Sequence, residues 1–214
     1  MSQDTQTDLV VLVADVQQEK TLEALLTARQ QSLGIRDVIV DIYRHPLKDA
    51  GVYHQAADFL APFLSSHAYA LVVIDLAWDG APAGGVEQLR TDLLQQMASK
   101  GWDEERCQVI VIDPELEAWV WADSDVVPQV LRSTWEEIHA LANEMACWAV
   151  GDPKPTRPKE LLEALLRQQK RPRSSSLFQE LAQRVSLTRC QDPAFTLLRE
   201  TLSRWFGKAP PWMA

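Results

Sequence analysis

A chain of 214 residues, 46% of them apolar, is long enough to bury one sizeable core and too apolar for wholesale disorder. Its net charge of −9 is uneven: residues 1–153 carry −16, residues 154–173 carry +5 and residues 174–214 carry +2, so an acidic front meets a basic rear. No run approaches the ~18 apolar residues of a membrane span, the N-terminus is polar and acidic rather than leader-like, and Cys107, Cys147 and Cys190 fit neither a zinc spacing nor a disulfide framework, so a cytoplasmic protein without membrane association is expected.

Residues 8–14 form the first apolar strand, closed by Asp15, and Thr21 caps or opens a first helix with Leu22, Leu25 and Leu26 inward. Gly34 ends that helix. Asp37 to Tyr43 reads as the second strand, stopped by Arg44-His45-Pro46, and Val52 to Leu64 has helical spacing. Ala68 to Ile74 is the third strand and ends at Asp75. The loop Leu76 to Gly85 holds Trp78 and Asp79 but no phosphate-cradling element, and it precedes a helix over Val86 to Lys100. Cys107 to Ile112 is the fourth strand. Strand and helix alternate about every 30 residues, the pattern of a right-handed parallel sheet.

After the fourth strand, Asp113 is expected as an N-cap and Pro114 as the first helical residue, with Glu115 and Glu117 in the first turn. Helices are expected over Val126 to Leu131, Trp135 to Val150 and Lys159 to Gln169. Another follows a Ser176–Gln179 capping box, and a last one is capped by Asp192-Pro193. The segment from Gly151 to Pro158 is the natural linker. The sequence therefore predicts an α/β fold, a parallel four-stranded sheet flanked by helices over 1–150, with a C-terminal helical layer over 151–214 packing on it.

The chemistry-bearing residues gather at the strand ends, where open parallel sheets bind ligands. Asp15, Asp75, Asp79, Glu115 and Glu117 are candidate metal ligands, because hard divalent cations such as Mg²⁺ take oxygen donors from one or two carboxylates plus water. Asp75, Glu115 and Glu117 are the candidate catalytic residues. Each has a structural alternative: Asp15 and Asp75 as turn caps, Asp79-Gly80 as a turn pair, the two glutamates as partners of a helix N-terminus. Trp78 either stacks on a base or covers its loop, His45 is the one histidine near the proposed edge, and the cysteines read as small buried hydrophobes. Arg157, Lys159, Lys170, Arg171 and Arg173, with Arg167, are candidates for contact with a DNA or RNA backbone, or else a solvated face.

Several blocks carry a family resemblance. They are Ala14-Asp15, Asp41-Ile42-Tyr43-Arg44-His45-Pro46, Asp75, and Asp113-Pro114-Glu115-Leu116-Glu117-Ala118-Trp119-Val120-Trp121. Arg157-Pro158-Lys159-Glu160, Lys170-Arg171-Pro172-Arg173-Ser174-Ser175 and Arg189-Cys190-Gln191-Asp192-Pro193-Ala194-Phe195 complete the set. With these the chain resembles bacterial Toprim-like proteins, in particular a component of methylation-associated phage defence systems. The resemblance implies magnesium-dependent phosphodiester hydrolysis or nucleic-acid binding, together with other defence proteins as partners. Ala14-Asp15 stands where Toprim-like nucleases place a glutamate followed by glycine, and three residues separate Asp75 from Asp79 where those nucleases have Asp-x-Asp. Either Asp15 or Glu19 takes the glutamate's place, or the fold serves as a catalytically inactive adaptor or regulatory subunit.

Overall fold

The computed structural model describes residues 7–208. Strands β1 (Thr7–Val13), β2 (Val40–Arg44), β3 (His67–Asp75) and β4 (Cys107–Ile112) form one all-parallel sheet in the order β2-β1-β3-β4. The expected α/β architecture is therefore the one adopted. β1, β3 and β4 are rich in β-branched residues and buried on both faces, as parallel strands covered by helices must be, while the edge strand β2 is only half-buried. Alternate side chains sort into two layers. Leu9, Val11, Val13, Leu71, Val73, Ile110 and Ile112 lie in one, and Val10, Leu12, Ala70, Val72, Ile74, Val109 and Val111 in the other.

Helices α2 (Lys48–Leu60) and α3 (Gly85–Ser99) close the second layer with Val52, Ala56, Leu60, Leu89, Leu93 and Met97. Helix α1 (Val16–Glu23), prolonged by a π-helical turn over Ala24–Ala28, lies on the first. Five more helices complete that face: α4 (Val126–Val130), α5 (Trp135–Glu144), α6 (Pro158–Gln168), α7 (Ser175–Arg184) and α8 (Pro193–Phe206). Leu161, Leu165, Phe178, Leu181, Leu198 and Phe206 are buried in the same cluster as Val11 and Val73, so the rear helices finish the core of the sheet. Each such side chain is worth about 1.5–3 kcal/mol on burial. Arg29 locks α1 to α7 by donating to the carbonyls of Ala182, Gln183 and Val185, placing a cation at the negative end of α7.

Several boundaries differ from the sequence reading. Helix α1 starts at Val16, because Asp15 and not Thr21 caps it. Gly34 sits at φ +74 in a turn beyond the helical residues. Strand β2 starts at Val40, since the Asp8 carboxylate takes the Ile39 N–H at 2.8 Å and leaves that side chain 62% exposed. Helix α2 opens at Lys48, ahead of the expected Val52. Helix α5 stops at Glu144, where Ala146 turns to φ 48 and the Cys147 carbonyl accepts Thr156 N–H at 2.7 Å instead of an intrahelical donor. The capping box is Thr134–Glu137 on α5, while α7 begins at Ser175 after Ser174.

The largest correction concerns the segment after β4. The Asp113–Pro114 peptide is cis, Glu115 is extended at φ −163, and only a 3₁₀ turn over Leu116–Trp119 follows. Asp113 is thus no N-cap and Pro114 no first helical residue. Tertiary pairing decides this: the Pro114 carbonyl accepts Ala77 N–H at 2.8 Å and Leu76 N–H at 3.1 Å, bridging the segments that follow β3 and β4. Among the described residues, no helix is long and apolar enough to cross a membrane.

Candidate functional site

The strand order places the topological switch between β1 and β3, because the chain leaves β1 toward β2 and returns on the other side. Asp15 follows β1 and Asp75 ends β3, so both stand at that crevice. Asp15 Oδ1 accepts Gln18 N–H at 2.9 Å and caps α1, as one reading of the sequence has it. Asp75 does not cap its own turn. Its Oδ1 accepts Gln18 Nε2–H at 2.9 Å, and its N–H donates to Asp49 Oδ1 at 3.2 Å. Gln18, 1% exposed, also takes Ala14 N–H on Oε1 at 2.8 Å, so one amide joins the tips of β1 and β3.

Gln18 and Asp49 are the members that the sequence reading missed. Asp49 belongs to the first turn of α2, and starting that helix at Val52 hides it in a loop. His45 Nδ1 accepts Leu47 N–H at 3.2 Å, and the buried ring packs on Phe59 at 5.5 Å. Burial lowers its pKa. A Cβ on Gly51 would meet that ring at 2.0 Å, so the start of α2 needs a glycine there. Asp79 is exposed on the loop after β3 and is not among the charges acting on Asp75. Trp78 is half-buried against Tyr53 at 5.8 Å and packs on the core beneath its loop.

The acids crowd one another. Burial pushes the Asp75 carboxyl well above the usual range, and the charges of Asp49, Glu117 and Asp15 push it further, against the Gln18 hydrogen bond. Asp49 is raised by burial, opposed by the Asp75 N–H. Glu117, 1% exposed, is raised by burial and held down by Arg173.

The two glutamates after β4 meet the basic rear. Lys159 Nζ, on α6, donates to Glu115 Oε2 at 2.9 Å. Arg173 Nε donates to Glu117 Oε1 at 2.8 Å, a second guanidinium N–H shares that oxygen, and the guanidinium lies over the Phe178 ring at 5.3 Å. Of the other nominated bases, Arg157 donates to the Met145 carbonyl and Arg171 to the Val130 carbonyl at 3.0 Å, while Lys170 is exposed. The structure therefore brings Asp15, Asp75, Glu115 and Glu117 to one edge and sets Lys159 and Arg173 against them. Asp79 stands outside.

Compared with protein-family models, curated proteins and solved structures, the chain matches none. The site must be read from its own chemistry. Among the described residues, no three His, Cys, Asp or Glu side chains converge closely enough to hold a metal ion. Glu115 and Glu117 already hold cationic side chains, and Gln18 occupies an Asp75 oxygen. In this arrangement the donor set does not fit Mg²⁺. It is instead a charge-balanced lock in which two acids are neutralised by bases, while burial and its acidic neighbours raise the pKa of Asp75.

Proposed function

We propose that this chain is a Toprim-like, cytoplasmic component of a bacterial antiviral defence system, acting as an adaptor or regulatory subunit of a multi-protein assembly. The defence setting rests on the resemblance carried by blocks such as Pro114-Glu115-Leu116-Glu117-Ala118-Trp119, and the observation that carries the adaptor role is the pairing of Lys159 with Glu115 and Arg173 with Glu117. A metal arriving at these glutamates would have to displace both cations. That leaves Arg173 without its partner in partly buried surroundings, where an unpaired ion costs several kcal/mol, while the more exposed Lys159 loses less. The test is phage protection in cells by an Asp75→Ala/Glu115→Ala variant. Full protection is expected; loss of protection by a variant that remains folded would overturn the adaptor role.

A second reading, a Mg²⁺-dependent phosphodiester hydrolase or nucleic-acid-binding protein, is favoured by one specific feature. Beyond its burial, the charges of Asp49, Glu117 and Asp15 raise the pKa of Asp75, a repulsion that a divalent cation relieves. Calorimetric titration with Mg²⁺ or Mn²⁺ at pH 8 separates the two. Saturable binding by the wild type that Asp75→Ala abolishes would establish the metal; no heat would remove it.

A further inference from the structure

A second concave surface shares no lining residue with the strand-tip cluster. It is a cleft of about 560 Å³, within the range of small-molecule sites. Trp121, Trp135, His139 and Trp148 form its aromatic wall. Trp148 stands at the centre of that wall, 5.8 Å from Trp121, 6.4 Å from Trp135 and 4.9 Å from His139. Its indole N–H donates to the Asp152 carbonyl at 2.9 Å, and that of Trp121 to the Pro158 carbonyl at 3.1 Å, so both rings are anchored.

The opposite side is built around Asp192, which is buried. Its Oδ1 accepts Trp119 Nε1–H at 3.0 Å and the amides of Ala194 and Phe195, and its Oδ2 accepts Lys154 Nζ–H at 2.5 Å. Lys154 also donates to the Asp113 carbonyl at 2.8 Å, and Arg189 to the Asp123 carbonyl at 3.3 Å. Lys154 is thus neutralised within the protein, while Arg189 keeps its charge and only touches a backbone carbonyl. Asp113, Asp123 and Asp152 also line it, and among the described residues their carboxylates make no ion pair or side-chain hydrogen bond. Four acids against two bases give the lining a formal charge of −2.

Aromatic walls accept either a nucleobase or an organic cation, and the charge decides between them. A nucleotide phosphate would meet three carboxylates without an ionic partner, against Arg189 as the one cation of the lining without an acidic partner among the described residues, so the balance of unpaired charge is negative. A weakly hydrated cation gains from the ring faces and from the carboxylates together. We infer that this cleft binds an alkylammonium group, of the quaternary, choline-like kind, against Trp148 with Asp123 and Asp152 supplying the countercharge.

The test is titration of the full chain with choline, followed by calorimetry and indole fluorescence. 3,3-Dimethylbutanol serves as the uncharged isostere and AMP as the anionic aromatic competitor. Saturable choline binding is expected, at least ~10-fold tighter than the isostere, which corresponds to about 1.4 kcal/mol. Trp148→Leu should weaken it at least ~10-fold. Should that variant fail to fold, Asp123→Asn/Asp152→Asn changes only exposed side chains and should weaken choline while leaving the isostere unchanged. Equal binding of choline and its isostere, absence of saturable choline binding, or tighter binding of AMP would each overturn the assignment.

Discussion

The Gln18 side-chain N–H donates to Asp75 Oδ1 at 2.9 Å while its carbonyl oxygen holds Ala14 N–H at 2.8 Å, so a single neutral side chain fastens the tips of β1 and β3. Truncation leaves a buried amide unpaired and removes the one hydrogen bond that lowers the Asp75 pKa. Gln18→Ala should therefore lose about 1–3 kcal/mol, read as a lower urea midpoint. Gln18→Glu should lose more at pH 8 than at pH 5, because it adds a further negative charge to the crowd.

Asp75 sets a pH dependence with a definite sign. A carboxyl whose folded pKa lies above its unfolded value, about 3.9, binds its proton more tightly in the native state. Stability from this group is complete below about pH 4 and is lost as pH rises toward the folded value. Asp75→Asn removes that loss and keeps an acceptor for Gln18. The variant should be more stable than wild type at pH 8, with a Tm rise of a few degrees, roughly what ~1 kcal/mol gives in a domain of this size. At pH 4 the two should converge. Equal Tm differences at both values would show that the charge on Asp75 is not what costs stability.

Arg173 neutralises a glutamate that has almost no access to water. Arg173→Ala should cost about 3–5 kcal/mol at neutral pH, the range for breaking one side of a buried pair. Since Glu117 is raised by burial, the loss should shrink on acidification, when the carboxyl takes a proton instead. Adding Glu117→Gln to Arg173→Ala should restore part of the stability in a denaturant titration.

Gly51 admits the His45 imidazole at a distance no side chain tolerates, 2.0 Å from where a Cβ would sit. Gly51→Ala should destabilise by about 1–3 kcal/mol, the usual cost of overpacking. A wild-type midpoint would mean that the ring moves freely out of its place against Phe59.

Burial holds the Cys107 thiol at a pKa of about 12 and that of Cys190 at about 11. Native protein at pH 7.5 should alkylate at both positions at least ~100-fold more slowly than a free thiol, and at normal rates once unfolded. Mass spectrometry after timed iodoacetamide exposure reads this directly.

The sequence by itself determined the sheet. Runs such as Leu9 to Ala14 and Val109 to Ile112 are too short for buried helices and too continuous for half-exposed strands, so they fit only a covered parallel sheet. It also determined which acids stand at the strand tips, since Asp15 and Asp75 directly follow those runs, and that Asp192 caps α8. Only the tertiary structure decided what the acids do. Asp49 and Gln18 enter the cluster from α2 and α1, at positions with no local pattern to mark them. The bases that neutralise Glu115 and Glu117 come from 44 and 56 residues downstream. A carboxylate at the end of a strand has the same local sequence whether it awaits a metal, a proton or an arginine. The partner is set by which distant helix packs on the sheet, and that follows from burying the whole apolar face of the rear helices rather than from any residue near the site.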